Sequence, residues 1–266
     1  MNKKKLDQLI SRAKAVRRDI LSMSYRAKSA HSGGAYSVVE ILVVLYFDVM
    51  RVNPKNAEDP KRDRLIFSKA HDAKALYGVL CERGFFDRKI LEKYESDDGI
   101  LPGHSTRHCV AGVEVSAGAL GHGLSMAAGV ALAGKLPNKN YRVFAILSDG
   151  ECDEGSTWEA ALFAGHHRLD NLTAVVDYNK LQGYGKTRDV LNLEPFADKW
   201  KAFGFAARQV DGHSFEELIP ALSSVHDKPT VVIAHTIKGL GGPKRHVNQI
   251  SSQYKPPTKE EYMELL

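Results

Sequence analysis

Two short stretches decide the fold: residues 143–151 read VFAILSDGE, and residues 172–179 read LTAVVDYN. Each is an apolar, β-rich run that ends in polar side chains, and a stretch of helical character lies between them. Two strands that are joined by a helix run parallel in one sheet, with their carboxyl ends at the same edge. We therefore expect Asp149 and Asn179, which follow the two strands, to lie close together in space.

The same alternation of strand and helix extends over most of the chain. We predict strands over 65–67, 143–147, 172–177, 205–210 and 229–235, and helices over 4–28, 37–50, 72–83, 123–134, 155–168, 195–203 and 214–225. This alternation predicts an α/β fold, in which helices cover both faces of a parallel sheet to give three layers. No repeat, linker or block of charge divides the chain, so we expect a single domain over residues 1–266.

One predicted helix and three predicted loops differ from the rest. The helix over 37–50 is apolar nearly all round, so we expect it to be buried between layers or against a partner chain. The loops span 97–122, 179–193 and 238–258, and they are candidate walls of a site because ligands of open α/β folds bind where the strands end. Segment 238–258 is rich in Gly and Pro, and we expect it to be a mobile active-site or interface loop.

Composition limits the class of protein. The 266 residues are 43% hydrophobic and 26% charged, which is typical of a globular chain and excludes a disordered one. The net charge of +5 is small for this length and indicates no nucleic acid partner. The longest apolar run, Ile41–Phe47, is too short for a bilayer, and the three cysteines form no C-x-x-C pair. We expect a cytoplasmic protein with reduced cysteines and no membrane segment.

The polar residues at the strand ends suggest a metal site. The carboxylate of Asp149, the amide oxygen of Asn179 and a backbone carbonyl are hard oxygen ligands, and this partial set leaves Mg²⁺ or Ca²⁺ with open positions for phosphate oxygens. Gly150 lets the backbone approach a phosphate without a Cβ atom in the way. Taken singly, Asp149 and Gly150 form an ordinary turn and Asn179 caps a loop. Taken together at two strand ends, they favour a metal-bridged diphosphate.

A longer pattern around these residues is similar to a known family. Residues 148–155 read SDGECDEG, 158–161 read WEAA, 169–172 read LDNL and 179–182 read NKLQ. Together they resemble the thiamine diphosphate motif of transketolases, although Ser148 stands where that motif usually opens with glycine.

The resemblance implies a thiamine diphosphate-binding fold, of which this chain would be the diphosphate-binding module. It assigns Asp149, Asn179 and the carbonyl oxygen of Leu181 to Mg²⁺ (or Ca²⁺). It assigns Gly150, Glu151 and Asn179 to the cofactor, thiamine diphosphate.

Three histidines lie in segments that resemble the same family, in AHSGG (30–34), SKAH (68–71) and LPGH (101–104). The resemblance implies that His31 lies over the thiazolium ring, that His71 touches the diphosphate and that His104 meets the substrate. A single histidine is more often structural or solvated, but an imidazole with a pKa near neutral can move protons on a sugar. We expect His166 and His167 to be structural, and we expect a solvated rim of Arg208, His213, Glu216 and Glu217.

A glycine-rich turn, GALGHG (118–123), enters a predicted helix, and such a turn is suited to anions. A dinucleotide-binding fingerprint needs G-x-G-x-x-G after a strand, and neither the spacing nor the preceding run matches it. The resemblance instead assigns these residues to the cofactor: Gly118, Ala119, Leu120 and Gly121, with Lys69 of SKAH and Lys238 of the segment TIKG (236–239).

The resemblance covers residues 30–236 and only the diphosphate-binding part of a transketolase. It implies a second chain that carries the pyrimidine-binding and carboxyl-terminal parts, an α2β2 heterotetramer, and activity only when both subunits are present. The implied reaction moves a two-carbon ketol unit from a ketose or ketose phosphate to an aldose, with His31 and His104 as the catalytic residues.

Two alternatives stay open. One is a related thiamine diphosphate enzyme of the deoxyxylulose-phosphate synthase type, against which the WEAA segment and the short length favour a split transketolase. The other is a non-catalytic subunit that binds the cofactor. A departure from the family supports the second: Ser252-Gln253 stand where a Trp-His pair is expected, and glutamine can form hydrogen bonds but cannot shuttle a proton. The donor sugar is therefore undetermined.

Overall fold

The computed structural model describes residues 1–136 and 139–266. At its centre is a five-stranded sheet of order β1-β2-β3-β5-β4, in which every neighbouring pair is parallel. The strands are β1 (Arg64–Phe67), β2 (Val143–Ser148), β3 (Leu172–Tyr178), β4 (Ala206–Asp211) and β5 (Thr230–His235). The predicted strands differ from these bounds by one residue at most at either end, and the predicted α/β class is confirmed.

Helices cover both faces of this sheet, as predicted. One apolar cluster contains buried side chains of α1, α3, α4 and α9, and a second cluster contains those of α5, α6 and α8. None of the helices in the described ranges is both long enough and apolar enough to cross a bilayer. The helices are α1 (Lys3–Arg26), α2 (Ser32–Ser37), α3 (Val39–Val44), α4 (Ala73–Arg83), α5 (Gly123–Lys135), α6 (Gly155–His166), α7 (Thr187–Val190), α8 (Phe196–Ala202), α9 (Phe215–Ser223) and α10 (Lys259–Leu265).

The apolar stretch over 37–50 is divided in the structure. It contains the end of α2, a turn at Val38, α3, and a π-helical turn over Leu45–Val49. Every residue of α3 is buried within this chain, where α1, α4 and α9 contact it. Of the two expected kinds of burial, burial between the layers of this chain is therefore confirmed, because every residue of α3 is already covered by α1, α4 and α9.

The register of the sheet brings three strand ends together. Ser148 of β2 pairs with Asp177 of β3, and Tyr178 of β3 pairs with His235 of β5. Because the strands are parallel, the segments that follow them leave the sheet at one edge. This edge is where the candidate site lies.

Segment 238–258 crosses the same edge. It contains two short 3-10 turns, Lys244–His246 and Ile250–Gln253. The carbonyl of Gln253 accepts the backbone N–H of His31 at 2.9 Å, so the segment lies against the start of α2. The mobility of segment 238–258 stays a prediction, as does the single domain over residues 1–266.

Candidate active site

A cavity of about 640 Å³ opens at the carboxyl edge of the sheet. Its walls come from the segments that follow β1, β2, β3 and β5, together with the loop over 97–122 and the start of α2. Most of the residues that the sequence singles out line it: His31, Lys69, His71, His104, Gly118, Leu120, Asp149, Gly150, Asn179, Leu181 and Lys238. Ala119, Gly121 and Glu151 are in the adjoining turns and do not line it.

Three histidine rings meet in this cavity. The centroid of the His31 ring lies 5.6 Å from that of His71 and 6.3 Å from that of His104. His31 has a left-handed backbone conformation, with φ of 56°, just before α2 begins. Gly33 and Gly34 follow it, and a Cβ atom at either position would overlap side chains of the site, at 2.1 Å from Ser252 Oγ and 2.2 Å from Asp72 Oδ2. The glycines therefore allow the histidine loop to approach the rest of the site.

Burial keeps two of these rings neutral. It lowers the pKa of His31 and lowers the pKa of His71 to about 4. The Nε2 atom of His71 lies 3.3 Å from Oδ2 of Asp72, which favours a proton on that nitrogen but does not offset burial. At neutral pH both rings can therefore donate one hydrogen bond and accept another.

A buried ion-pair network lies beneath the histidines. The ammonium of Lys69 pairs with Asp177 and lies 3.1 Å from Oδ2 of Asp72, and all three side chains are at most 1% exposed. Although burial opposes the charge, the two carboxylates raise the pKa of Lys69 above its ordinary value. Asp177 also accepts hydrogen bonds from Ser37, at 2.7 Å, and from Thr236. Lys69 lines the cavity, but its ammonium is engaged by the protein's own carboxylates; a direct role at the cofactor stays a prediction.

Asp149, Asn179 and Leu181 come together at the ends of β2 and β3. The carboxylate of Asp149 accepts the N–H of Gly150 at 2.9 Å and that of Lys180 at 2.7 Å. It also accepts the hydroxyl of Thr187 at 2.9 Å. The structure thus joins the two strand ends in the way that the parallel-sheet argument requires.

These residues fit a divalent cation. The Asp149 side chain is almost fully buried, its three hydrogen bonds come from neutral donors, and burial raises its pKa. Lys238 donates its ammonium to the carbonyl of Leu181 at 2.9 Å, and that oxygen has a second lone pair for a metal. A carboxylate, an amide oxygen and a carbonyl are the donor types that Mg²⁺ and Ca²⁺ take. Within the described ranges no three His, Cys, Asp or Glu side chains cluster to hold a metal.

Glu151 has a different place from the one that the resemblance implied. We expected it to line the cofactor, but it is fully buried behind the cavity wall. Its carboxylate accepts the N–H of Gly121 at 2.8 Å and the hydroxyl of Ser68. Gly121 has a φ of +85°, and a Cβ there would come 2.4 Å from Ser156 Oγ. Glu151 therefore fixes the glycine turn against the end of β1.

Several residues of the site were not found by sequence reasoning. Asp72 and Asp177 form the ion-pair network with Lys69. Asp72 follows His71 directly and Asp177 lies near the end of β3, and these two positions were the sequence signals that could have found them. Gln182 donates to Asp153 at 2.7 Å, and Tyr254 donates to the carbonyl of Gly183 at 2.9 Å, across the cavity mouth. The remaining wall residues are Ser148, Glu154, Tyr184, Val190 and Gln253.

One surface prediction is wrong. We expected His213 to be solvated, but its side chain is 14% exposed and contacts both Glu40 and the backbone of Ile237. His166 and His167, which we expected to be structural, are instead exposed at the end of α6.

Comparison with known families agrees with this geometry. Residues 7–261 match the family described as transketolase, thiamine diphosphate binding domain. The chain belongs to the transketolase family. That assignment covers almost the whole chain, so the cavity belongs to the part of a transketolase that binds thiamine diphosphate.

Individual transketolases show how much of the family's length is present. An apulose-4-phosphate transketolase subunit of Phocaeicola vulgatus is 39% identical over 252 residues, which cover 93% of this chain and 89% of the relative. The 6-deoxy-6-sulfo-D-fructose transketolase subunit of a Clostridium species (strain MSTE9) is 38% identical over 244 residues, covering 91% of this chain and 88% of the relative. The solved transketolase of Leishmania mexicana superposes with a TM-score of 0.89 at 26% identity, over 97% of this chain and 40% of that chain. The chain thus spans less than half of that transketolase.

Proposed function

We propose that this chain is the thiamine diphosphate-binding subunit of a two-chain transketolase, which transfers a two-carbon ketol unit from a ketose or ketose phosphate to an aldose. The observation that carries the proposal is the cavity at the carboxyl edge of the sheet. It combines three histidine rings with an Asp149, Asn179 and Leu181 oxygen set.

The oxygen set is the proposed place of Mg²⁺ (or Ca²⁺). Asp149, Asn179 and the Leu181 carbonyl would hold the cation, which would supply positive charge for the diphosphate. Gly118, Leu120 and Gly150 line the same cavity, as do His71 and the ammonium of Lys238, which supplies a positive charge for the diphosphate oxygens. Thiamine diphosphate, when bound, supplies the carbon nucleophile and electron sink that no side chain offers.

The histidines are the proposed proton carriers. His31 is neutral because burial lowers its pKa, so it can accept a proton from a sugar hydroxyl without first losing one. His104 faces His31 across the cavity and is placed to bind a carbonyl or hydroxyl of the same substrate. We assign the catalytic roles to His31 and His104, and the cofactor contact to His71.

A second chain is part of the proposal. This chain matches 89% of the Phocaeicola vulgatus transketolase subunit but only 40% of the solved Leishmania mexicana transketolase, so the remaining parts would come from a separate polypeptide. Leu162 and Phe163 on α6 are 59% and 39% exposed, and adjacent exposed apolar side chains favour a protein contact. We propose that the partner carries the pyrimidine-binding domain and that the assembly is an α2β2 heterotetramer in the cytoplasm.

The donor sugar of the proposed reaction is a ketose. The relatives that resemble this chain are named for two different sugars, apulose 4-phosphate and 6-deoxy-6-sulfo-D-fructose. Gln253 lines the cavity next to the histidine loop, where it can hydrogen-bond to a donor but cannot shuttle a proton. We therefore propose a ketose donor without naming one.

The test compares the chain alone with the chain copurified with its partner. Thiamine diphosphate and Mg²⁺ are titrated into both, and ketol transfer is assayed with a panel of ketose and aldose phosphates. We expect metal-dependent binding and transfer only in the two-chain sample. Strong transfer by the chain alone would contradict the two-subunit part, and decarboxylation of pyruvate would favour the deoxyxylulose-phosphate synthase type. Binding without any turnover would indicate a non-catalytic subunit, and the absence of metal-dependent binding in both samples would contradict every thiamine diphosphate role.

A further inference from the structure

His213 lies outside the cavity, on the turn between β4 and α9, but it contacts the segment that carries Lys238. Its Nε2 atom accepts the backbone N–H of Ile237 at 2.9 Å, and its Nδ1 atom lies 3.1 Å from Oε2 of Glu40. A nitrogen that accepts an N–H must have its lone pair free, so the ring proton is on Nδ1 and is donated to Glu40. These two contacts select one neutral tautomer of the ring.

Glu40 connects this ring to a second anchor. It is a buried residue of α3, and its other oxygen pairs with Arg17 of α1 at 2.5 Å. Burial alone would raise the pKa of Glu40, but the hydrogen bonds from His213 and Arg17 hold it below the ordinary value. Arg17 in turn donates Nε to the carbonyl of Leu240 at 3.3 Å. Arg17, Glu40 and His213, which we call the Glu40 clamp, therefore hold both ends of the segment 237–240.

Lys238 lies between these two anchors. It is 4% exposed, and its ammonium reaches the carbonyl of Leu181 at 2.9 Å. The next residue, Gly239, donates its N–H to the carbonyl of Gly33 at 2.9 Å and has a φ of +82°. A Cβ at Gly239 would lie 2.6 Å from the carbonyl oxygen of His246, so the backbone has little room to move. A shift of Ile237 therefore passes directly to Lys238.

We propose that His213 is a positioning residue of the active site. Held in its Nδ1–H tautomer by Glu40, it fixes the backbone of Ile237 and so directs the Lys238 ammonium to the Leu181 carbonyl, at the place proposed for the metal and the diphosphate. This role rests on the proposed function, and it extends the site to three side chains that do not line the cavity. The competing explanation is that the clamp only ties α1 and α3 to the loop after β5.

Two substitutions of His213 separate these explanations. The end group of glutamine overlaps the Nε2 position of histidine and can still accept the Ile237 N–H. The end group of asparagine overlaps the Nδ1 position and can only donate to Glu40. We compare His213→Gln and His213→Asn with the wild type and with His226→Asn, a control whose Nε2 contacts Arg208 at 3.3 Å.

The first measurement needs neither cofactor nor activity. Hydrogen exchange in the full chain, read by mass spectrometry on peptides that cover 236–242, reports whether the Ile237 N–H is protected. We expect wild-type exchange in His213→Gln and His226→Asn, and exchange faster by about tenfold or more in His213→Asn. Thermal unfolding of each variant is measured together with hydrogen exchange, so that a general loss of stability can be told apart from a local change at 236–242.

The second measurement is thiamine diphosphate affinity in the two-chain sample with Mg²⁺. We expect His213→Gln to bind within about threefold of the wild type and His213→Asn to bind about tenfold more weakly, as is typical for outer contacts of a metal site. Equal effects of the two variants on exchange or on affinity would overturn the positioning role. A wild-type sample that binds no thiamine diphosphate would overturn the proposed function and this role with it.

A third measurement uses no variant, so poor folding of a variant cannot obscure it. Nitrogen-15 spectra of histidine in the wild-type chain show which ring nitrogen of His213 carries the proton. A proton on Nδ1 with a bare Nε2 is the expected result. A proton on Nε2 is incompatible with the Ile237 hydrogen bond and would overturn the proposal whatever the variants do.

Discussion

Replacing Lys69 by methionine is a direct test of the buried network below the cavity. Methionine has about the length of the lysine stem, so the space is filled while the charge is removed. The ammonium of Lys69 is the cation shared by Asp72 and Asp177, and all three side chains are at most 1% exposed. The variant therefore leaves two carboxylates in the interior without their cation.

The magnitude follows from what each carboxylate retains. Removing one partner of a buried ion pair costs about 3–5 kcal/mol. Asp177 keeps the hydrogen bonds from the hydroxyls of Ser37 and Thr236, which reduces its contribution to this cost. Asp72 keeps only the neighbouring His71 among its side-chain contacts in the described ranges. We expect the free energy of unfolding to fall by about 3 kcal/mol, and Tm to fall by about 6–12 °C for a chain of this size.

The decrease in the free energy of unfolding of Lys69→Met should depend on pH. Burial raises the pKa of Asp72, but the Lys69 ammonium, together with His71 and Lys238, holds it below its ordinary value, so in the wild type the folded pKa lies below the unfolded one. Its stabilising effect is then complete above the unfolded pKa and is lost as the pH falls through the folded one. Without Lys69 we expect the folded pKa of Asp72 to rise above the unfolded value. The stability deficit of the variant should therefore be largest at neutral pH. The difference between variant and wild type should shrink as the pH falls toward 4.

The assay is urea unfolding of the full chain, followed by circular dichroism at pH 7 and pH 5. Lys201→Met is the matched control, because Lys201 is 57% exposed and pairs with an exposed Asp198, so its loss should cost less than about 0.5 kcal/mol. Lys69→Met combined with Asp72→Asn should recover part of the loss. A free energy of unfolding within about 1 kcal/mol of the wild type, or a deficit that grows on acidification, would refute the reasoning.

Three further predictions concern the cavity itself. Asp149→Ala should weaken Mg²⁺-dependent thiamine diphosphate binding by more than about tenfold while circular dichroism stays unchanged, and an unaltered affinity would remove Asp149 from the site. The folded pKa of His71 is about 4, so the unfolded chain binds the proton first and wild-type stability should fall by up to about 3 kcal/mol between pH 6.5 and pH 4. His71→Gln should lack this fall in urea unfolding, and an equal fall in both proteins would contradict the buried neutral ring. Gly34→Ala should cost about 1–3 kcal/mol in the same assay, because its Cβ would lie 2.2 Å from Asp72 Oδ2. Gly129→Ala on α5, where the added Cβ would meet nothing within 4 Å beyond its chain neighbours and the backbone of its own helix, should instead gain about 0.5–1 kcal/mol, and equal effects of the two substitutions would contradict the steric argument.

Sequence reasoning predicted the sheet and its layers because both depend on local patterns. The run over 143–147 is apolar at every position, since helices cover both faces of β2, and a short apolar strand followed by a helix predicts a parallel neighbour. The same argument placed Asp149 beside the segment after β3, where the structure joins its carboxylate to the Lys180 N–H. For the stretch over 37–50 the sequence left two kinds of burial open, because an apolar surface does not indicate whether the same chain or another chain covers it, and the structure shows burial by the same chain.

Most of the pairings that the sequence missed join residues far apart along the chain, although Asp72 lies only three residues from Lys69. Lys69 and Asp177 are 108 residues apart, and Glu40 and His213 are 173 residues apart. A histidine in a polar segment such as DGHSFEE (211–217) looks solvated, because no local pattern shows that α3 brings a buried carboxylate to it. Glu151 was misplaced for the same reason: its carboxylate faces the glycine turn behind the wall and not the cavity.

The amino-acid sequence by itself determined the alternation of strands and helices and the polar residues at the strand ends, because hydrophobic periodicity and turn chemistry act over a few residues. Only the tertiary structure decided which charges are paired and which face the cavity. The free energy of a buried charge depends on its exposure and its partners, and both are set by segments that meet only when the sheet has formed.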